Sequence, residues 1–364
     1  MANTERIPDG IHNAIDYEYR APEVLGAQRF AYIAGGSGLD VTVAANRSAF
    51  GRWASVPRLL RDVRGGHSRL QLADMALPHP FVLAPVAHGL LAHSQAELAT
   101  ARAAEATGTC LVASTLSSRP LEVIAAAAGP ARWFQLYLQP ERAHTLDLLA
   151  RAQAAGYRAI VLTLDASLQL PSRSALASGF VLPADCVAAN LARYPQAPTP
   201  QPGEGQSRIF QGAMRHAPTW DDLRWLLSAT HLPVWVKGVL HAEDARQLKA
   251  AGVAGIVVSN HGGRGLDGSP ASLSMLPAVR AAVGKGYPVL MDGGVRSGHD
   301  AFKALALGAN AVLIGRLQLY ALAVAGALGV AHLLQLLTEE LHATMAQAGC
   351  ATLSDITPEA LLPC

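Results

Sequence analysis

Residues 233–261 read PVWVKGVLHAEDARQLKAAGVAGIVVSNH and contain one complete strand–helix–strand unit. The run at 233–236 is short and apolar, and residues 255–259 form a second such run, as is typical of buried parallel strands. Between them, residues 243–251 are rich in strong helix formers, and Gly252 follows at once as a C-terminal cap. The segment therefore predicts two parallel strands joined by a helix.

The same unit recurs along the chain. Eight short apolar runs are each followed by helical sequence, and most are about 22 to 32 residues apart, the length of one strand–helix repeat. They lie at residues 81–84, 110–113, 133–136, 159–164, 233–236, 255–259, 288–291 and 311–314. Thr219 and Ser297 are each followed three residues later by an aspartate, which is a helix-start signal. Eight units predict an α/β fold, a TIM (β/α)8 barrel, whereas a doubly wound sheet, the alternative, usually needs fewer.

We expect the 364 residues to form one domain, with the barrel at 81–350. Two regions of the chain lie outside the strand–helix repeat. Residues 1–75 are predicted to form an N-terminal helical region. About 70 residues separate the fourth and fifth strands, and we expect residues 166–218 to form a long insertion or lid. Its segment 194–207 contains the turn formers Pro195, Pro198, Pro200, Pro202, Gly203 and Gly205.

Composition excludes several classes of protein. The chain is 51% hydrophobic and only 15% charged, so it is not a disordered chain. Its net charge is +2 without a block of lysines and arginines, so we expect neither a nucleic acid nor a membrane as partner. The longest apolar run, 319–331, is shorter than a bilayer requires and predicts a buried helix.

The cysteines and the chain start bear on the compartment. The four cysteines are far apart and form no C-x-x-C pair, which argues against a metal site or a redox pair and favours reduced thiols in the cytoplasm. They are Cys110, Cys186, Cys350 and Cys364. Residues 1–10 are polar and unlike a signal peptide, so we expect a cytoplasmic protein.

Glycines and arginines follow the last two predicted strands, at the end of a barrel that carries the active site. The strings are DGGVR at 292–296 and GR at 315–316. Glycines allow backbone N–H groups to approach an anion, and arginines add charge-assisted hydrogen bonds. The pattern predicts a phosphate site, although Gly293 and Gly294 are also consistent with a simple turn.

Five strings together resemble the FMN-dependent α-hydroxy acid oxidase and dehydrogenase family, which includes glycolate oxidase, lactate oxidase and hydroxymandelate oxidase. The resemblance extends from about Tyr32 to residues 348–350, and the hydroxymandelate oxidases look the most similar branch. It implies FMN in the barrel mouth, a small-molecule substrate and a homo-oligomer, a tetramer or larger. The strings are FQLY at 134–137, VKGVL at 236–240, SNHGGR at 259–264, DGGVRSG at 292–298 and GR at 315–316.

The resemblance also implies which residues hold FMN. Lys237 is expected beside the N1/O2 edge of the flavin, where its charge would stabilise the reduced form. The phosphate is expected on Gly294, Arg296, Gly315 and Arg316. The other expected FMN contacts are Val86, Ala87, Ser114, Gln135, Thr163, Ser259 and Asp292.

By the same resemblance, His261 is the base that takes a proton from the substrate, either from Cα or from the hydroxyl group. Asp165 would pair with the resulting imidazolium and orient it. Arg264 would bind a substrate carboxylate, with Tyr32 and Tyr137 facing the substrate. A structural loop histidine is the alternative for His261, and a core aromatic residue is the alternative for Tyr32.

One departure from the family concerns the substrate. Counting from Asp165, the position of a carboxylate-binding arginine in the family is Ser172 here, and an arginine stands one residue later, at Arg173. Either a shifted loop lets Arg173 serve, or the site keeps one carboxylate arginine. Leu116 and His88 also differ from glycolate oxidase, which has tryptophan and methionine there. His88 could be a titratable group near the flavin or a structural loop histidine.

These residues predict an FMN-dependent oxidation of a 2-hydroxy acid to a 2-oxo acid, with oxygen converted to hydrogen peroxide. The alternatives are a dehydrogenase with another electron acceptor, and an FMN oxidoreductase acting on an alcohol, an amine or a peptide-derived substrate. A flavin-binding protein without turnover is a third possibility, which the retention of His261, Asp165, Lys237 and Arg264 argues against.

Overall fold

The computed structural model describes residues 6–195 and 202–364, and its first elements precede the barrel. Three helices come first, α1 (Asp16–Leu25), α2 (Ala27–Ala34) and α3 (Val41–Ser48). They are followed by the short strands β1 (Trp53–Ser55), β2 (Leu70–Leu72) and β3 (Met75–Leu77), of which β2 and β3 form a hairpin. The predicted N-terminal region is therefore helical only as far as residue 52, because the chain then becomes extended. Residues 1–5 lie outside the described part.

Eight parallel strands close a barrel, as predicted, and each lies within three residues of its predicted position. Consecutive strands are neighbours, and the last pairs with the first through Val312 and Phe81. The strands are β4 (Phe81–Leu83), β5 (Cys110–Ser114), β6 (Arg132–Leu136), β7 (Ile160–Thr163), β8 (Val234–Val239), β9 (Gly255–Val258), β10 (Val289–Met291) and β11 (Ala311–Ile314).

A helix follows each strand, and an extra one, α7, lies within the insertion. The predicted caps are present: Thr219 and Asp222 form a capping box, and the Ser297 hydroxyl accepts a hydrogen bond from the Asp300 N–H. The helices are α4 (Glu97–Thr107), α5 (Leu121–Ala127), α6 (Arg142–Ala154), α7 (Arg173–Ala177), α8 (Trp220–Ala229), α9 (Ala242–Ala250), α10 (Ser272–Val283), α11 (Gly298–Ala306) and α12 (Arg316–Ala348).

The barrel separates two apolar cores. The larger core lies between the strands and the helices. The smaller core fills the lower barrel, where Trp133 and Trp235 pack with ring centres 4.6 Å apart and side chains of the β2–β3 hairpin join them. Because the lower barrel is filled with side chains, an open site is left only at the C-terminal ends of the strands.

The insertion after β7 contacts the N-terminal region across the barrel mouth. Ser172 pairs with Gly38 as an isolated parallel bridge, and the Phe180 ring stacks on Tyr32 with centres 4.3 Å apart. Of the predicted proline- and glycine-rich segment 194–207, residues 196–201 lie outside the described residues. The N-terminal region and the insertion therefore both cover the mouth of the barrel.

Helix α12 has 33 residues and is long and apolar enough to cross a membrane by length and composition. It is kinked at Ala325 and Gly326, and 61% of its most apolar window is buried within the protein, packed on α1, α4 and α11. The predicted buried helix at 319–331 is thus part of a longer one. The chain ends in β12 (Leu361–Pro363), which pairs antiparallel with β1.

Candidate active site

One cavity of about 280 Å³ lies at the C-terminal ends of the barrel strands. Most of the predicted site residues line it, although they come from all parts of the chain. These are Tyr32, Val86, Ala87, Ser114, Gln135, Tyr137, Thr163, Lys237, His261, Arg264, Asp292, Gly294, Arg296, Gly315 and Arg316. Asp165 and Ser259 lie behind this lining, and Arg173 is turned away from it.

His261 and Asp165 form a hydrogen-bonded pair at the cavity wall. The distance between His261 Nδ1 and Asp165 Oδ1 is 2.8 Å, which leaves Nε2 as the ring nitrogen available to a ligand. His261 holds a left-handed backbone with φ of 59°, an uncommon conformation for a side chain other than glycine. Burial favours a neutral Asp165, but the charges of His261 and Lys237 outweigh it and keep the pKa of Asp165 below its usual value. The pair is built to accept and hold a proton.

Gly238 makes the approach of Asp165 possible. Strand β8 changes register between Lys237 and Val239, and Gly238 has φ of 107°. A Cβ atom there would lie 2.6 Å from the Asp165 Cβ, closer than real contacts. The irregularity in β8 therefore lets Asp165, which follows β7, approach the strand that carries Lys237.

Lys237 is almost fully buried and is held by two partners. Its Nζ lies 3.1 Å from Asp292 Oδ2 and donates a hydrogen bond of 2.9 Å to the Ser259 hydroxyl. Burial alone would lower the pKa of Lys237, but Asp292 and Asp165 outweigh it and raise the pKa above its usual value. The ammonium is thus a fixed positive charge at the cavity wall.

The structure gives Ser259 a different position from the predicted FMN contact. It is fully buried, and its hydroxyl accepts hydrogen bonds from Lys237 Nζ and from the His261 N–H at 3.0 Å. Because Ser259 does not line the cavity and its hydroxyl binds both partners, this residue orients the lysine and the histidine loop.

Buried polar atoms without partners face the cavity. Among the described residues, Gln135 Nε2, Thr163 Oγ1 and Asp292 Oδ1 have none. Gln135 is fixed through its other amide atom, Oε1, which accepts from the Ser114 hydroxyl and from a backbone N–H, both at 3.1 Å. Unsatisfied buried groups are costly, so these atoms indicate a polar ligand. The edges of a flavin ring carry such groups, and the residues therefore fit the ring of FMN.

The predicted phosphate end has glycines and a surplus of positive charge. Gly294 has φ of 84°, and a Cβ on Gly315 would meet only open space, so backbone is accessible there. Arg316 donates to the backbone oxygens of Ile33, Gly35 and Gly262 at 2.7 to 2.9 Å. Burial, with the nearby charge of Arg264, lowers the pKa of Arg316 to about 9. Crowded cations of this kind fit an anionic group such as the phosphate of FMN.

The substrate side is formed by Arg264 and two tyrosines. Arg264 Nη2 donates to the backbone oxygens of Tyr32 and Ile33 at 2.5 and 3.1 Å, and the guanidinium lies 5.1 Å from the centre of the Tyr32 ring. The Tyr32 ring thus lies between Phe180 of the insertion and Arg264. Burial raises the pKa of Tyr137 to about 12, so its phenol is a neutral hydrogen-bond donor at ordinary pH.

The structure does not bring Arg173 to the cavity. Ser172 is the N-cap of α7, and its buried hydroxyl accepts from the Ala175 N–H at 3.0 Å. This cap places Arg173 as the first helical residue, exposed to solvent, with its backbone N–H donating to Gly38 O at 2.8 Å. The interpretation that Arg173 replaces the family arginine is therefore not supported. Of the two arginines predicted to bind a substrate carboxylate, Arg264 reaches the cavity and Arg173 does not.

Sequence reasoning missed Gln169, which lines the cavity from the insertion. Its only signal was its place in the loop that follows Asp165. Leu116 and His88, whose identities differ from glycolate oxidase, also line the cavity. His88 has φ of 55°, and its buried Nδ1 has no partner among the described residues; burial lowers its pKa.

Comparison with known proteins agrees with this geometry. A family model described as FMN-dependent dehydrogenase matches residues 21–363. An L-lactate oxidase from Alicycliphilus denitrificans is 75% identical over 363 residues, covering 100% of both chains. A 4-hydroxymandelate oxidase from Amycolatopsis orientalis is 43% identical, covering 92% of this chain and 94% of that one. The lactate oxidase is the more similar of the two, which corrects the expected hydroxymandelate branch.

A solved structure is also similar. The crystal structure of mandelate oxidase with (S)-2-phenylpropionate matches with a TM-score of 0.86 and 41% identity, covering 96% of this chain and 97% of that one.

Proposed function

The chain belongs to the FMN-dependent dehydrogenase family, as an FMN-dependent oxidase of 2-hydroxy acids, and we propose that its substrate is L-lactate. One observation carries the proposal: His261, held by Asp165 at 2.8 Å, lines the same cavity as Arg264 and Lys237. A base, a carboxylate-binding cation and a fixed charge beside the cofactor are what oxidation of a 2-hydroxy acid requires.

The protein groups divide the work as follows. Arg264 binds the carboxylate of lactate, because its guanidinium lines the cavity and is held by backbone oxygens of Tyr32 and Ile33. His261 Nε2 takes a proton from the substrate, and Asp165 stabilises the resulting imidazolium. Tyr137 donates a hydrogen bond to a substrate oxygen.

FMN, when bound, would supply the two-electron acceptor, with oxygen as the final oxidant and hydrogen peroxide as its product. Lys237, Gln135, Thr163 and Asp292 would hold the ring, with the backbone at Val86 and Ala87 and the Ser114 side chain beside it. Gly294, Arg296, Gly315 and Arg316 would hold the phosphate.

Leu116, Gln169 and His88 also line the cavity, and Ser172 is committed to capping α7. With no second arginine at the insertion, affinity for the carboxylate rests on Arg264, and one charge-assisted hydrogen bond contributes about 1.5–3 kcal/mol.

Anaerobic bleaching of the bound flavin tests the substrate. L-lactate should reduce it fully, whereas L-lactamide, which has the same shape without the charge, should be about 10- to 150-fold poorer because it loses the charged contact with Arg264. D-lactate and (S)-mandelate are the matched controls. Faster reduction by mandelate or by lactamide than by L-lactate would overturn the proposal.

Oxygen as the acceptor is tested by stoichiometry. One hydrogen peroxide per pyruvate should accumulate in air, and an artificial dye should add little to the rate. Turnover that depends on the dye, with little peroxide, would instead indicate a dehydrogenase.

We further propose a cytoplasmic homo-oligomer, a tetramer or larger. Exposed apolar side chains near the mouth favour burial between subunits, among them Leu39, Leu176, Val181 and Leu266 at 64–80% exposure. All four cysteines are free, as expected in a reducing compartment. Light scattering of the purified protein measures the subunit number, and a monomeric mass would contradict it.

A further inference from the structure

An acidic side chain from the N-terminal helix reaches the phosphate end of the cavity. Glu18 lies in the first turn of α1, and both of its carboxylate oxygens bind Arg296. We propose that Glu18 is a positioning residue that orients Arg296 toward the phosphate, so that helix α1 contributes to selecting the phosphorylated flavin. This inference rests on the proposed binding of FMN and assigns a role to a residue that does not line the cavity.

The geometry of the pair fixes one edge of the guanidinium. Arg296 Nε lies 2.6 Å from Glu18 Oε2, and Arg296 Nη2 lies 3.0 Å from Glu18 Oε1. Arg296 Nη1 donates to the backbone oxygen of Val295 at 3.1 Å. An arginine carries five N–H donors, so two remain free, on Nη1 and Nη2. Because these three hydrogen bonds already fix the Arg296 side chain, it loses little rotamer freedom when it binds a ligand.

The pair is shielded from solvent. The Arg296 side chain is 8% exposed and that of Glu18 is 23% exposed. A bidentate arginine–carboxylate pair with this burial keeps its orientation better than a solvated surface pair does.

Charge explains why a carboxylate is placed there. Arg47 Nη1 donates to Gly294 O at 2.5 Å, and Arg316 lines the same cavity as Arg296. Burial and the charge of Arg296 lower the pKa of Arg47, and the carboxylates of Asp300, 3.6 Å from Arg47 Nη1, and of Glu18 oppose this. Glu18 therefore offsets repulsion among the arginines before the anion binds.

Helix α1 is anchored well enough to carry such a role. The Glu340 carboxylate accepts from the Ala14 N–H at 2.9 Å and from the Gly298 N–H at 2.7 Å, which ties the start of α1 to the start of α11. The Tyr17 hydroxyl lies 2.9 Å from His332 Nδ1 of α12. Since α11 begins directly after the loop that carries Arg296, the position of Glu18 relative to that arginine is fixed.

The test compares two flavins on the full-length protein after removal of its cofactor. Riboflavin has the ring and the ribityl chain of FMN without the phosphate, so its affinity does not depend on Arg296. We expect Glu18→Gln to weaken FMN binding about tenfold, measured by quenching of flavin fluorescence, and to leave riboflavin binding unchanged. Glu23→Gln, an exposed residue of the same helix that pairs with Arg20, is the matched control and should change neither.

Other outcomes would overturn the inference. An equal loss for both flavins would mean that Glu18 only docks α1, and tighter FMN binding would mean that its carboxylate competes with the phosphate. If Glu18→Gln does not fold, Glu18→Asp keeps the charge on a shorter chain and should show a smaller loss that is again specific to FMN. In the Arg296→Gln protein, Glu18→Gln should have no further effect. If the native protein binds neither flavin, the proposed function itself is wrong. If it binds FMN and Glu18→Gln does not weaken that binding, only the role of Glu18 is wrong.

Discussion

The two ends of the cavity balance charge differently. At the end that carries His261 and Lys237, each base or cation faces a carboxylate, Asp165 at 2.8 Å and Asp292 at 3.1 Å. At the arginine end, where the phosphate is expected, Arg316 donates to backbone oxygens, and Arg296 pairs with Glu18. At the reacting end the charges are therefore balanced without a ligand, whereas the arginine end has an excess of positive charge.

This difference separates catalysis from ligand capture. Paired groups at the reacting end hold a proton acceptor and a fixed charge in one orientation, as preorganised catalysis requires. Unbalanced arginines attract an anion and gain most when it binds. Experiments that remove one partner at a time should therefore give different signatures at the two ends.

The largest effect is expected from His261→Ala. Without the base, flavin reduction by substrate should slow by about 10²- to 10⁴-fold, while the protein still binds FMN, because the residues expected to hold the phosphate do not include His261. Stopped-flow absorbance under anaerobic conditions measures the rate. Reduction at the native rate would mean that another group is the base.

Lys237→Met should destabilise the protein strongly. It leaves Asp292 buried without its cation, and breaking a buried pair costs about 3–5 kcal/mol. Urea unfolding of the two cofactor-free proteins measures the difference in the free energy of unfolding. The double variant Lys237→Met with Asp292→Asn should regain part of the lost free energy of unfolding. If it regains none, the two residues are not energetically coupled.

Inorganic anions should stabilise the arginine end when FMN is removed. Phosphate at about 100 times its Kd would add about 2.7 kcal/mol and raise the Tm by a few degrees. Chloride at the same ionic strength is the control. Equal shifts with both salts would reveal general screening instead of a site.

The smallest effect is expected from Tyr137→Phe. Loss of one neutral hydrogen bond should slow flavin reduction about tenfold or less. Burial raises the pKa of Tyr137 to about 12, so the phenol stays protonated and the loss should be the same factor from pH 7 to pH 10. A loss that disappears toward pH 10 would mean that Tyr137 ionises in this range.

Much of the site could be predicted from local strings. The SNHGGR and VKGVL strings placed His261, Arg264 and Lys237 at strand ends, and the structure brings all three to one cavity. Ser259 was expected at the flavin, but its hydroxyl binds Lys237 and the His261 backbone instead. Strand position predicts that a residue is near the mouth, and only packing decides which neighbour it meets.

Arg173 shows the same limit within one turn of helix. Arg173 follows Ser172, the position of the family's arginine, by one residue. Because Ser172 caps α7, Arg173 is the first residue of that helix and is exposed to solvent. A single-residue offset at a helix start rotates a side chain by about 100°, so proximity in sequence is no guide to direction.

The sequence by itself determined the eight-stranded barrel and the residues at its C-terminal ends, because apolar runs of strand length and helix-cap signals are local properties of the chain. The tertiary structure alone decided which charges meet. Glu18 and Arg296 are 278 residues apart, and neither stands in a pattern that predicts the other. Their contact depends on how α1 and α11 each pack against α12, and packing of distant segments is set by the whole core.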